Sequence, residues 1–158
     1  MPDRGTFEER GPNVIAPPPL LFLSPLLVGL LLDRLVPPPH LPRRSRLAGL
    51  PLLAAGISLG TWFFATMRRA GTPVDPYRPT TALAVDGPFR YTRNPAYLGL
   101  TLGYAGVSLL AGGRWPLLLL PGVLAVMSRG VIQREERYLE ERFGPDYQAY
   151  RRHVRRWL

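Results

Sequence analysis

The chain has 158 residues, 46% of them apolar, which is enough for one domain with a buried core or for several membrane crossings. It contains no cysteine, which excludes disulfides, thiolate metal sites and a cysteine nucleophile. The 20 basic residues, all of them arginine, outnumber 11 acidic residues and give a net charge of +9. Long uncharged runs alternate with arginine-rich segments, which is typical of a multi-pass membrane protein and disfavours nucleic acid as a partner.

Four apolar runs predict four transmembrane helices. They cover about residues 20–36, 47–67, 96–113 and 115–132. The second run is uncharged throughout, and its length matches the roughly 20 residues that cross a hydrocarbon core. Only a short glycine turn separates the third run from the fourth, so these two should form a helical hairpin. We therefore expect a single all-α domain, residues 1–158, built as a transmembrane helical bundle.

The sequence after the fourth run predicts an amphipathic helical segment outside the membrane. One face of this segment, at helical spacing, combines Ile132, Glu135, Glu136, Leu139 and Phe143. Gly144 and Pro145 end that helix. A last helix then carries an aromatic stripe opposite a face of arginines, which is typical of a helix that lies in the headgroup plane.

The distribution of arginine predicts the orientation in the membrane. With four spans, both termini and the long polar connection, residues 70–93, fall on one side. Most of the 20 arginines belong to that side, and the other side holds Arg43, Arg44, Arg46 and Arg114. Because positive charge concentrates in cytoplasmic loops, the termini and the active site should be cytoplasmic, in what we expect to be a bacterial cytoplasmic membrane.

Two motifs flank the predicted hairpin. Residues 87–99 read GPFRYTRNPAYLG, and the sequence from residue 135 reads EERYLEERFGPDYQAYRRHV. In this order and at this distance they resemble the catalytic half, here about residues 80–157, of the isoprenylcysteine carboxyl methyltransferase and phospholipid methyltransferase superfamily. The resemblance implies an integral-membrane enzyme that uses S-adenosyl-L-methionine, held between the loop before the third span and the helix after the fourth.

The resemblance also implies the cofactor site. Its residues would be Thr81, Leu83, Ala84, Phe89, Arg93, Asn94, Pro95, Tyr97, Gly99, Glu135 and Glu136. Glu135, supported by Glu136, would face the positively charged cofactor. Asn94 stands where better-known members of the superfamily carry histidine. Asparagine forms hydrogen bonds but carries no proton near neutral pH, which puts an acid–base role at this position in doubt.

Two arginines near the membrane boundary are predicted to be catalytic. An anionic acceptor needs a cation to orient it, and Arg129 and Arg134 are the candidates because they lie at the membrane end of the acidic helix. A charge near the end of a span often marks a site. Arg129 has an equal alternative, in which it only reaches out to the headgroups. His40 and His153 are far apart in the sequence, so we expect no metal site.

The sequence leaves the methyl acceptor open. We expect a lipophilic or prenylated acceptor reached from the lipid bilayer, and favour O-methylation of a carboxylate like that of isoprenylcysteine. N-methylation of a phospholipid amine and S-methylation of a small thiol are the alternatives within the superfamily. A non-catalytic membrane scaffold is the alternative outside it. A homodimer is a further option, because a chain of 158 residues has little surface with which to enclose a pocket.

Overall fold

The computed structural model describes residues 11–37, 41–75 and 77–158, and it confirms the all-α fold. His40 lies outside these residues. The helices are α1 (Pro18–Leu35), α2 (Arg43–Leu47), α3 (Gly49–Arg69), α4 (Pro95–Ala111), α5 (Arg114–Met127), α6 (Gln133–Phe143) and α7 (Pro145–His153). A 3₁₀ turn, Gly87–Arg90, precedes α4, and a π-helical turn, Ser128–Ile132, joins α5 to α6. No β-strand occurs in the described part of the chain.

Three helical stretches have the length and composition to cross a membrane. They are Pro18–Leu35, Arg43–Arg69 and Arg114–Phe143. The remaining predicted span, the third apolar run, corresponds to α4, an apolar helix of 17 residues, which is short for a full crossing. The last stretch has 30 residues, longer than the roughly 20 that hydrocarbon requires. Its apolar part ends at Ile132, so the charge-rich helix α6 extends beyond the membrane-spanning part.

Glycines bring α3 and α4 into the most extensive helix contact in the structure. A Cβ atom on Gly56 would lie 2.7 Å from the backbone nitrogen of Gly103, and one on Gly49 would lie 2.5 Å from the carbonyl oxygen of Gly106. Both distances are too short for any side chain. In lipid, where the hydrophobic effect does not drive helices together, such close backbone packing is a main source of association. The glycines therefore determine which faces of α3 and α4 meet.

α5 packs mainly against α1, although its short connection leads back to α4. Asp33 near the end of α1 accepts hydrogen bonds from the backbone N–H groups of Arg114 and Trp115, at 3.2 and 3.3 Å. The carboxylate thus satisfies two of the free N–H groups at the start of α5. Tyr104 of α4 donates to the carbonyl of Pro116 at 2.8 Å. These bonds join α1, α4 and α5 at the end of the bundle opposite the 70–93 connection.

The π-helical turn meets the N-terminal segment. The carbonyl of Gly130 accepts a hydrogen bond from the backbone N–H of Ile15, at 3.3 Å, and Arg134 donates to the carbonyl of Asn13 at 2.9 Å. A π-helical turn holds more residues than an α-helical turn, so it changes the direction in which the following side chains point. Single turns of this kind occur frequently at functional sites. Here the turn sets the rotation of α6 relative to α5.

Candidate functional site

A cavity of about 150 Å³ lies where α3 ends, α4 begins and α6 and α7 meet, and we call it the polar cavity. Helix α3 contributes Phe63 and Met67 to its wall, and the connection before α4 contributes Thr80, Ala82, Leu83, Ala84 and Phe89. The remaining wall is built by the start of α4, by side chains of α6 and α7, by the chain just after α3 and by Pro12. Residues far apart in the sequence therefore converge at one end of the bundle.

Most of the predicted cofactor residues line the polar cavity. These are Leu83, Ala84, Phe89, Arg93, Asn94, Pro95, Tyr97, Glu135 and Glu136. Thr81 is exposed instead, and its side chain donates to the carbonyl of Gly71 at 3.0 Å, which fastens the connection to the end of α3. Gly99 lies deeper, against the backbone of α3. The binding roles of all these residues stay predictions, but the structure brings the two motifs together.

The two predicted catalytic arginines lie outside the cavity wall. Arg129 is exposed on the π-helical turn. Arg134 is also exposed, and its guanidinium holds the N-terminal segment through Asn13. Neither residue is among those that line the polar cavity. Their part in orienting an acceptor therefore stays a prediction from the sequence, without support from the cavity geometry.

Glu135 is the carboxylate that faces the start of α4. Its Oε1 atom accepts a hydrogen bond from the hydroxyl of Tyr97 at 2.5 Å. Burial raises the pKa of Glu135 to about 7, the Tyr97 hydrogen bond acts in the opposite direction, and the nearby charge of Glu136 raises the pKa further. A carboxyl group with this pKa exchanges a proton near neutral pH. It has the property that a general base requires.

Glu136 has a different environment from its neighbour. Its carboxylate accepts two hydrogen bonds from Arg156, at 3.0 Å from Nε and 2.6 Å from Nη2. It also forms an ion pair with Arg93, whose Nη1 lies 3.1 Å away. Only 8% of Glu136 is exposed. Removing one partner of a buried ion pair costs about 3–5 kcal/mol, because the other charge is left uncompensated. Glu136 therefore binds two arginines, whereas the resemblance implied that it supports Glu135 beside the cofactor.

Asn94 fastens the C-terminal segment. Its side-chain Nδ2 donates to the carbonyl of Arg156 at 2.9 Å, and the hydroxyl of Thr92 donates to the same oxygen at 3.0 Å. The backbone N–H of Arg93 donates to the carbonyl of Arg155 at 2.9 Å. An amide holds such a contact at any ordinary pH, whereas the donors of a histidine depend on its protonation state. The observed contact of Asn94 is thus with the backbone of this chain.

Comparison with known proteins connects this geometry to a family. The family model described as phospholipid methyltransferase matches residues 45–146, which include α3, α4, α5 and α6. The chain belongs to the phospholipid methyltransferase family.

One curated relative adds a shorter match. An uncharacterized protein of Haemophilus influenzae is 49% identical over 35 residues, which make up 22% of this chain and 56% of that protein. The match thus spans little more than half the length of the relative. No solved structure matches the chain.

The site also contains tyrosines that the sequence predicted to lie elsewhere. Tyr147 and Tyr150 of α7 line the polar cavity, and Tyr147 is only 1% exposed. Burial raises the pKa of both phenols, so both are neutral at physiological pH. Tyr150 donates to the carbonyl of Phe89 at 2.8 Å. The expectation that this aromatic stripe faces the headgroups was wrong, since amphipathic spacing identifies a buried face but not what covers it.

A second cavity adjoins the first. This apolar groove, of about 600 Å³, lies between α1, α3 and α4 within the apolar part of the bundle. Gly60 and Gly103 line it, and a Cβ atom on either glycine would meet no atom within 4 Å. The polar cavity and the apolar groove share four lining residues, Phe63, Val74, Ala96 and Tyr97. The polar cavity therefore lies on one side of this shared wall, and the apolar groove lies on the other.

Proposed function

We propose that the protein transfers a methyl group from S-adenosyl-L-methionine to an acceptor that partitions into the membrane. The observation that carries this proposal is the shared wall between the polar cavity and the apolar groove, formed by Phe63, Val74, Ala96 and Tyr97. A water-soluble donor suits the first space and a hydrocarbon chain suits the second. An acceptor that occupied the groove would bring its reactive group to Tyr97 and Glu135.

The residues of the polar cavity fit this donor. Arg93 lines the cavity, and its Nε is buried without a hydrogen-bond acceptor among the described residues. A buried donor of this kind favours an anionic ligand group such as the carboxylate of the cofactor. Glu135 and the aromatic rings of Phe89 and Tyr147 suit the cationic sulfonium, which attracts both carboxylates and π faces. When bound, the cofactor supplies an electrophilic methyl group.

We assign proton transfer to Glu135. A protonated amine must lose a proton before its nitrogen lone pair can form the new N–C bond. A carboxylate with a pKa of about 7, hydrogen-bonded to the hydroxyl of Tyr97, is suited to accept that proton. The C–S bond of the donor breaks as the N–C bond forms, and its electron pair stays on sulfur. Positioning of the two reactants supplies most of the remaining acceleration.

Among the three acceptor classes we favour the amine. The charged group that contacts the shared wall is the carboxylate of Glu135, which attracts an ammonium headgroup and repels an acceptor carboxylate. The buried arginine of the cavity, Arg93, is the group proposed above to bind the carboxylate of the cofactor, so it does not also serve an acceptor carboxylate. O-methylation of a prenylcysteine-like carboxylate, which the sequence favoured, is therefore our second candidate. It needs a cation at the shared wall, for which the sequence offers Arg129 or Arg134.

We further propose that the polar cavity opens to the cytoplasm. The arginine-rich C-terminal segment and the 70–93 connection lie at the cavity end of the bundle, and positive charge concentrates on the cytoplasmic side of membrane proteins. The cytoplasm supplies the cofactor. The membrane supplies the acceptor through the groove.

The first experiment is calorimetric titration of the detergent-solubilised protein with S-adenosyl-L-methionine. We expect saturable binding by the wild type and weaker binding by Glu135→Gln. The matched control is Glu141→Gln, an exposed glutamate of the same helix, which should bind as the wild type does. Absence of binding by folded protein in both detergent and lipid nanodiscs would contradict the proposal and favour a scaffold.

A second experiment identifies the acceptor. Wild-type protein in nanodiscs would be incubated with labelled donor and, separately, phosphatidylethanolamine, a prenylcysteine or an alkyl thiol. We expect label to enter the amine lipid. Labelling of the prenylcysteine in its place would overturn the choice of amine while leaving the methyltransferase proposal intact.

A further inference from the structure

The C-terminal strap, residues 154–157, lies behind the wall of the polar cavity, where it contacts lining residues without forming part of a helix. Its backbone accepts hydrogen bonds from residues 92–94 at the start of α4. Its Arg156 side chain binds Glu136 of α6, which also lines the cavity. The strap therefore bridges the two motifs that build the site. From the sequence, these residues were expected to continue the helix in the headgroup plane.

Arg156 determines the net charge of the buried cluster it belongs to. The cluster contains Arg93, Glu136 and Arg156, with the carboxylate between the two guanidinium groups. Two positive charges and one negative charge leave a net charge of +1. Without Arg156, the pair of Arg93 and Glu136 would be neutral. Hydrogen bonding to Glu136 raises the pKa of Arg156, so its charge is present at any physiological pH.

We propose that Arg156 is a positioning residue for the cofactor. It neutralises the charge of Glu136, so the positive charge of Arg93 remains available to the cofactor carboxylate. This inference rests on the proposed function, because it assumes that S-adenosyl-L-methionine binds in the polar cavity. Arg93 is the cavity residue with an unsatisfied buried donor, and its side chain is only 10% exposed. Solvent therefore screens its charge little, and the charge of its neighbours matters.

The charge of the cluster predicts which part of the cofactor responds. An anionic carboxylate is attracted by a cluster with net charge +1 and gains little from a neutral one. Decarboxylated S-adenosylmethionine has the same adenosine and sulfonium groups but no carboxylate. A change in the charge of the cluster should therefore alter the binding of the complete cofactor and leave that of the decarboxylated analogue largely unchanged. Loss of folding would alter both.

The test is calorimetric binding of these two probes to three variants. Arg156→Gln should weaken binding of S-adenosyl-L-methionine by roughly tenfold, the scale of one partly screened charge interaction, and leave the decarboxylated analogue within about twofold. The double variant Glu136→Gln with Arg156→Gln removes both charges of the pair and restores the net charge of +1. It should recover most of the selectivity. Arg155→Gln, with an exposed side chain on the same strap, is the matched control.

Three results would overturn the inference. Equal losses of both probes in Arg156→Gln would indicate a structural role. Failure of the double variant to recover selectivity would exclude the charge argument. If Arg156→Gln does not fold, Arg156→Lys is tested in its place, because lysine keeps the charge but not the two hydrogen bonds to Glu136. If Arg156→Lys loses the preference for the complete cofactor over the decarboxylated analogue, the inference is also overturned. A wild type that binds neither probe would remove the proposed function itself, which is a different outcome.

Discussion

The polar cavity and the apolar groove share a wall but are built in different ways. The cavity is assembled from the connection before α4 and from the ends of several helices, and side-chain hydrogen bonds, one of them to the terminal strap, hold it together. The groove is a gap left between helices where Gly60 and Gly103 carry no side chain. Charge and hydrogen bonding should therefore determine what binds in the cavity, and volume alone should determine what binds in the groove. Changes in each should therefore have separable effects.

The largest effect should come from a substitution in the cavity, and it should lower the rate of methyl transfer. Glu135→Gln removes the proposed proton acceptor while keeping the size of the side chain, so methyl transfer to an amine acceptor should fall by about 100-fold or more. The measurement is the rate of label transfer at saturating acceptor, with Glu141→Gln as the control. A rate unchanged in Glu135→Gln would contradict its role as base. The rate of methyl transfer to a carboxylate acceptor would fall far less, since a carboxylate needs no base.

The second effect concerns the groove alone. Gly103→Leu places a side chain in open space, so it should fill the groove without disturbing the packing of α3 and α4. Displacing two or three CH₂ groups of an acceptor chain, at about 0.8 kcal/mol each, should lower kcat/KM by roughly 10- to 100-fold. Cofactor binding should not change. Gly122→Leu is the control, because Gly122 also has free space around its Cβ position but lies outside the groove.

A short-chain acceptor makes this prediction sharper. An amine without a long hydrocarbon chain does not use the groove, so wild type and Gly103→Leu should methylate it at similar rates. Equal losses for the long and the short acceptor would show that the substitution damages the cavity as well. The two spaces would then not be independent.

The third effect acts on the wall between the two spaces. The hydrogen bond from Tyr97 lowers the pKa of Glu135, so Tyr97→Phe should raise that pKa above about 7. Because the active form of Glu135 is the deprotonated one, activity rises with pH through this pKa. The midpoint of the pH–rate profile should therefore move to higher pH by about one unit. Tyr91→Phe, an exposed tyrosine, should keep the wild-type midpoint.

The last prediction concerns the stability of the fold, which should change with pH. The pKa of Glu135 is raised from 4.5 to about 7 in the folded protein, so the folded state binds the proton more tightly than the unfolded state. The resulting stabilisation is complete below pH 4.5 and is lost as pH rises through about 7, at a cost of about 3 kcal/mol. Glu135→Gln should lack this dependence. The measurement is the melting temperature of both proteins across that pH range in one detergent.

The glutamate pair illustrates how much of the site the sequence could predict. The spacing of Glu135 and Glu136 indicated that both share the apolar face of α6, and both do line the polar cavity. Their separate environments depend on Tyr97 and Arg156, which approach from α4 and from the C-terminal strap. Helical spacing contains no information about such distant partners. The pair could therefore be located from the sequence, but its two chemical environments could not be told apart.

Local composition determined the all-α architecture, the apolar stretches and the two motifs, because helix length and hydrophobic runs depend on residues adjacent in the sequence. The tertiary structure decided three further features. It turned the aromatic face of α7 toward the cavity, it paired Asn94 with the carbonyl of Arg156, and it left the apolar groove open beside Tyr97. Each depends on the rotation of one helix against another. That rotation is set by glycine contacts, by the π-helical turn and by the strap, all of which join residues far apart in the chain.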